Sequence, residues 1–172
     1  MAACGSAAGG PAAPASAPAA ASPGFGGTDL AWVQITIAMD EQLVPLLDLA
    51  PTHSRRADVI ALADAVERTC AQELSVLRRL HDQARLPAGN PHEGMPMPGM
   101  VTPAQVTAAA ATRGGTFDTL LLRDLTGHLR QGVQLATSER TAGVEPQTLA
   151  LARQVLDSRA GYLTRVQALS RQ

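Results

Sequence analysis

The stretch Ala61-Leu62-Ala63-Asp64-Ala65-Val66 returns 89 residues later as Ala150-Leu151-Ala152-Arg153-Gln154-Val155, and the offset holds well beyond it. With no gap, Ala71 falls on Ala160, Leu74 on Leu163 and Leu80 on Leu169. Upstream, Asp29 meets Asp118, Gln42 meets Gln131, Val44 meets Val133 and Leu46 meets Leu135. A fixed register across two apolar-periodic segments marks one helix-turn-helix unit duplicated. Only two copies exist, so the expectation is a closed four-helix bundle rather than a solenoid.

Composition agrees with an all-α fold. Aromatics make up 2% of the 172 residues, and Ala and Leu dominate. Period-two alternation of β-branched residues is absent, so the core must be small aliphatic side chains packed between helices. Net charge is −1, every cation is Arg rather than Lys, and no basic surplus is available for a phosphate backbone. Nucleic acid is therefore excluded as an expected partner. No run of 18 apolar residues suggests a membrane-spanning helix.

Between the copies lies Asn90-Pro91-His92-Glu93-Gly94-Met95-Pro96-Met97-Pro98-Gly99-Met100. Apart from Met1 the chain has four methionines, and Met95, Met97 and Met100 sit in this loop beside His92. Thioethers and imidazole are soft to borderline ligands that suit Cu(I) better than Mg or Ca. The alternating Met-Pro-Met places two sulfurs on an extended backbone, while Gly94 and Gly99 let the chain bend. An ordinary exposed linker has the same composition. Read as a separate segment, the loop contributes little to the core.

Helix signals place the rest. The first helix is expected from about Asp29 to Leu49, capped by Thr28 or Asp29, with Pro45 kinking it. The second runs from about Ser54 to Ala84, with Val59, Ala63, Val66, Cys70, Leu74, Leu77 and Leu80 as its stripe. Thr102-Pro103-Ala104-Gln105 is a capping box that starts a short helix. A third long helix follows from about Thr116 to Thr141, and a fourth from Pro146 to about Leu169. Gly161 inside the last one costs about 1 kcal/mol relative to Ala unless a close helix contact needs it. Domain organisation follows: a tether over 1–28, then one domain over 29–172 with hairpins 29–86 and 115–172 around a loop and short helix over 87–114.

Residues 1–28 are almost wholly Ala, Gly, Pro and Ser, a composition that cannot repay the entropy of ordering. Their start, Met1-Ala2-Ala3-Cys4-Gly5-Ser6, resembles the end of a bacterial lipoprotein signal whose cysteine is lipidated, which implies a longer signal upstream of Met1. Cys4 is then the lipid-bearing residue of a membrane-anchored protein of the cell envelope, held on the order of 25 to 30 Å from the bilayer. A cytosolic protein with an incidental cysteine is the alternative. Cys70, on an apolar stripe, reads as a small buried hydrophobe or a reactive thiol.

The segment Trp32-Val33-Gln34-Ile35-Thr36-Ile37-Ala38-Met39-Asp40-Glu41-Gln42-Leu43-Val44, with Leu47-Asp48-Leu49-Ala50 after it, resembles the signature of the bacterial domain of unknown function 305 family. Its second copy is Phe117-Asp118, then Leu121-Leu122 through Gly127-His128-Leu129 to Val133-Gln134-Leu135-Ala136. The resemblance implies a ferritin-like bundle, copper association and a Met/His loop corresponding to 92–103. Where the family has paired histidines, this chain has Met39-Asp40 and His128-Leu129, so a bundle-core site is reduced to His128, Met39, Asp40 and Glu73.

His128 faces the bundle as either a hydrogen-bonded core residue or a ligand, and Met39 as either core filler or a ligand. At most one of Asp40 and Glu41 can point inward with Met39. An inward Glu73 needs a partner such as an Arg or His128. His53 and His81, near helix ends, are expected in solvent. No Glu has a His three residues on, as a di-iron carboxylate site requires, and the chain is not expected to be an enzyme. Two classes remain: an extracytoplasmic protein that binds or buffers copper through the loop, and a structural or interaction module that has lost the metal. A homo-oligomer is compatible with both.

Overall fold

The computed structural model describes residues 24–171; Cys4 and nearly all of the expected tether lie outside them. Six helices follow in order: α1 Gly27–Leu47, α2 Ala50–His53, α3 Ala57–Gln83, α4 Pro103–Ala110, α5 Gly115–Ala142 and α6 Pro146–Leu169. Each of the four long helices packs on two others, α1 on α3 and α5, and α6 on α3 and α5, which closes an all-α, ferritin-like four-helix bundle.

Local chemistry sets the helix ends. Gly26, not Thr28 or Asp29, is the N-cap of α1, so the helix begins inside the segment read as tether. Asp29 instead sits in the first turn and accepts the Gly26 N–H at 2.6 Å, which satisfies one orphan donor of the helix start. The Thr102 capping box forms as expected. Thr102 Oγ1 accepts from Gln105 N at 3.3 Å, and Gln105 Oε1 accepts from Thr102 N at 2.8 Å. Glu145 caps α6 by accepting the Thr148 N–H at 2.7 Å, with Pro146 in the first turn.

Three expectations change. The first helix stops at Leu47, and an unexpected one-turn α2 follows it before Ser54-Arg55-Arg56 leaves helical geometry, so the second long helix, α3, starts at Ala57 rather than Ser54. His53 is buried rather than solvated: its ring nitrogens reach the carbonyls of Leu49 (3.0 Å) and Ala110 (3.2 Å), and its ring packs 5.3 Å from Phe117. Gly161 makes no close helix contact, since a Cβ there would meet nothing within 4 Å. The α3 stripe is buried at all seven expected positions, from Val59 to Leu80.

Two apolar clusters fill the bundle. One gathers Leu43, Leu46, Leu62, Val66, Phe117, Leu121 and Leu125, and the other Trp32, Val33, Leu77, Leu80, Ala152 and Val155. Five residues near the middle of the long helices bring polar or thiol groups inside: Asp40, Cys70, Glu73, His128 and Arg159. Buried ionisable groups in such a core must find partners, so this centre is where specific chemistry concentrates.

Candidate metal centres

At the bundle centre, α1 supplies Asp40, α3 supplies Cys70 and Glu73, α5 supplies His128, and α6 supplies Arg159. Arg159 is 2% exposed, and its guanidinium ties two carboxylates together. Nη1 donates to both Glu73 oxygens at 2.9 and 2.7 Å, and Nη2 donates to Asp40 Oδ1 at 3.0 Å. Ser158 adds a hydroxyl bond to Glu73 at 3.3 Å. Glu73 thus has the arginine partner that an inward carboxylate demanded.

His128 Nε2 lies 3.4 Å from Asp40 Oδ1 without hydrogen-bond geometry. Both ring nitrogens of His128 and the second oxygen of Asp40 are buried with no partner. Asp40, Cys70 and His128 each offer a ligand atom, and these atoms lie within 4.8 Å of one another. Burial lowers the pKa of His128 and keeps it neutral, the form that ligates metals. Burial also raises that of the Cys70 thiol, and the Asp40 carboxylate adds to the effect. Glu73 is pushed up by burial, against the pull of Arg159.

The second centre is the loop. Rather than hanging free, it is fastened to α1 and α5. Asn90 Nδ2 donates to Gln34 O at 2.7 Å. The Gln42 amide, oriented by its partners, donates to Val101 O at 3.1 Å and accepts from Gly94 N at 2.9 Å. Gly99, at φ +76°, presses on α5 so closely that a Cβ would lie 2.4 Å from Gln131 Cβ and 2.7 Å from Gly127 O. Downstream, Gln105 Nε2 donates to the buried Asp124 at 3.1 Å and so pins α4 to α5.

This seating corrects the expectation that the loop contributes little to the core. Met100 and Val101 are buried, and Met100 packs with Met39 and Ala38 of α1, while Met97, Ile35 and Leu135 lean on the same patch. Three of the four expected thioethers therefore meet, though not the expected three: Met39 joins Met97 and Met100, and Met95 is 44% exposed. His92 is half-buried, with Nδ1 enclosed and unpartnered.

The expected ligands thus separate into two groups. Met39 goes to the loop patch, while Asp40 and His128 go to the charged centre; Glu41 points outward to Arg78 at 2.8 Å. Sequence reasoning missed Arg159 and the place of Cys70 beside Asp40. One signal was available, because the 89-residue offset sets Cys70 against Arg159 and Met39 against His128. Another was Gly132 on the inward face of α5, where a Cβ would fall 2.5 Å from Arg159 Nε.

No curated protein sequence matches the chain. Among solved structures, the fold is similar to a DUF305 fragment from Deinococcus radiodurans, with 18% identity, 86% of this chain and 97% of that chain covered, and a TM-score of 0.78. It is similar to a DUF305 protein from Streptomyces coelicolor inferred to be secreted, with 22% identity, 83% and 91% covered, and a TM-score of 0.75. It is also similar to CopM in the Cu(I)-bound form, with 14% identity, 83% and 95% covered, and a TM-score of 0.71. CopM has further structures in Cu(II)-bound and Ag-bound forms. The sequence profile of the DUF305 family, a domain of unknown function, matches residues 29–170, and the chain belongs to that family.

Proposed function

We propose that this protein is an extracytoplasmic, non-catalytic binder of a soft metal, copper as Cu(I), which it holds where the 90–100 loop docks on α1. The observation that carries the reading is the meeting of Met97 and Met100 with Met39 in one patch. Thioethers are neutral and soft, so they favour Cu(I) and hold Zn or Fe poorly. His92, whose Nδ1 is enclosed without a partner, supplies the imidazole. The copper- and silver-bound forms of CopM support a soft metal, and the relative inferred to be secreted supports a place outside the cytoplasm. Lipidation of Cys4 as a membrane anchor belongs to the same reading, motivated by the small residues around it and the Ala/Gly/Pro/Ser stretch that follows.

The second reading, a structural or interaction module without metal, is favoured by one feature: a guanidinium fills the bundle centre. Loading the full chain with Cu(I) under reducing conditions and measuring affinity by chelator competition separates the two. Replacing Met39, Met97 and Met100 together with Leu should abolish binding, whereas Met95→Leu and His128→Ala should leave it near wild type. A triple variant that keeps full affinity while His128→Ala loses it would move the site into the bundle. Wild-type protein that takes up no Cu(I) would leave the structural module.

A further inference from the structure

We propose that the bundle centre has the ligand set of a pocket for a borderline divalent ion such as Zn²⁺ or Co²⁺, in Asp40, Cys70 and His128, and that Arg159 stands there as a built-in cation in the ion's place, so that the pocket takes an ion only once the guanidinium is removed. The inference is independent of the loop reading. The donor set is the first ground: a carboxylate, a thiol and an imidazole form a common ligand set for zinc, and their ligand atoms lie within 4.8 Å of one another. Bonds of about 2.0 to 2.3 Å set tetrahedral ligand atoms roughly 3.3 to 3.8 Å apart, so the three side chains close on an ion by drawing in by up to about 1 Å.

The second ground is what those atoms lack. Asp40 Oδ2 and both nitrogens of His128 are fully buried and unpartnered, and such atoms ordinarily find a donor, an acceptor or an ion. His128 is 0% exposed, so its ring nitrogens lie away from bulk solvent. The third ground is the guanidinium itself. It binds Asp40 and Glu73 through its two terminal nitrogens, neutralising negative charge from α1 and α3 as a bound cation does.

The α5 backbone is shaped for this arginine. At Gly132 a Cβ would lie 2.5 Å from Arg159 Nε and 2.8 Å from its Cδ, so any larger residue there would push the arginine out of this position. The duplication carries the same message. The position equivalent to Arg159 in the first copy is Cys70, and the position equivalent to His128 is Met39. Three of these four related positions hold metal-ligating side chains and the fourth holds a cation. With the guanidinium removed, a divalent ion entering the pocket would displace the thiol proton of Cys70 to solvent and bond the thiolate, the His128 imidazole and the Asp40 carboxylate.

The test uses Co²⁺, which the loop thioethers hold poorly, and the full chain carrying Arg159→Met with Glu73→Gln. Methionine keeps much of the arginine shaft volume, and glutamine removes one of the two stranded carboxylates, leaving the Asp40 charge for the ion to balance. The expected result is a stoichiometric thiolate-to-cobalt charge-transfer band, with strong tetrahedral d–d absorption, in the double variant. Wild type should show none at the same cobalt concentration, and adding Cys70→Ala to the variant should remove the band. A wild-type protein with the same band, or a helical double variant with none, overturns the proposal. Should the variant lose its helices without metal, Zn²⁺ must restore them in circular dichroism, and failure to do so also overturns it.

Discussion

The bundle centre and the docked loop both gather metal-ligating side chains, yet one is charged, mid-helix and sealed, and the other is neutral and lies where a loop meets a helix. In the centre, two carboxylates already share a guanidinium, so an added cation meets a pocket that holds one. In the loop patch, the sulfurs of Met39, Met97 and Met100 carry no charge and require no counter-ion. The bundle thus gathers carboxylate, thiol and imidazole groups in one place and thioethers in another. Charge, more than ligand count, separates the two.

The largest expected effect comes from Arg159→Ala. Removing the guanidinium leaves Asp40 and Glu73 buried without a counter-charge, a change that costs about 3–5 kcal/mol. Urea denaturation should show the midpoint falling sharply, with much of the loss recovered when Glu73→Gln is added. A loss below about 1 kcal/mol would mean the centre is not held by charge pairing, and the contrast with the loop would collapse.

Gly99→Ala probes the other region. At φ +76° a non-glycine residue is strained, and its Cβ would fall 2.4 Å from Gln131 Cβ, so the loop must lift from α5. Strain and clash together cost about 2–3 kcal/mol if the loop stays seated. The expected outcome is a bundle that keeps its helicity but loses Cu(I) affinity, because Met97 and Met100 no longer meet Met39. Unchanged affinity would show that seating is irrelevant to the metal.

These two variants also show how far the sequence could be read. The 89-residue repeat, the Thr102–Gln105 box and the stripe from Val59 to Leu80 all act within a few residues of themselves or at a fixed period, and each was legible. The Arg159 contact joins α6 to α1 and α3 across more than 80 residues, and a lone Arg on a helix reads by default as solvated. Likewise the packing of Met39, rather than Met95, with Met97 and Met100 depends on how Gly99 seats the loop, a matter of backbone position that composition does not carry. His53 was misread for the same reason: its partner Ala110 lies 57 residues away.

A pH experiment sharpens the contrast, provided another raised carboxyl is removed first. Glu139 is buried beside Asp29 and Glu145, and burial, reinforced by those negative charges, raises its pKa from 4.5 to about 7. A raised carboxyl contributes stability that is fully present below the unfolded value and is lost as pH rises through about 7. Asp29 has the opposite sign. Its pKa is lowered to about 2 because, against burial, the Glu139 carboxyl beside it, the Thr148 hydroxyl and the backbone N–H groups of Glu145 and Gly26 favour its charged form, so its contribution is lost only in acid. Glu139→Gln should therefore stabilise the protein above pH 7 by on the order of 1–2 kcal/mol, a figure reduced for solvent screening, and change little at pH 4. Any slope that persists in the variant between pH 5 and 7 then reports the centre, where the raised Glu73 loses stability as pH rises and His128, with its lowered pKa, gains it.

The smallest expected effect on stability is that of Met39→Leu, Met97→Leu and Met100→Leu combined, the variant that should do most to copper. Met and Leu are close in volume and both apolar, and such exchanges usually cost less than about 1.5 kcal/mol. Met39 and Met100 are buried, so branched leucines must repack against Ala38, Ile35 and Leu135, but no hydrogen bond or charge is lost. Urea midpoints and far-ultraviolet circular dichroism should thus stay near wild type while Cu(I) affinity disappears, the reverse of Arg159→Ala, which should lose stability and keep loop binding so long as it remains folded. A triple variant that loses more than about 3 kcal/mol would class the three methionines with the core first, because a patch adapted to grip an ion tolerates a soft apolar substitute and a tightly fitted core does not.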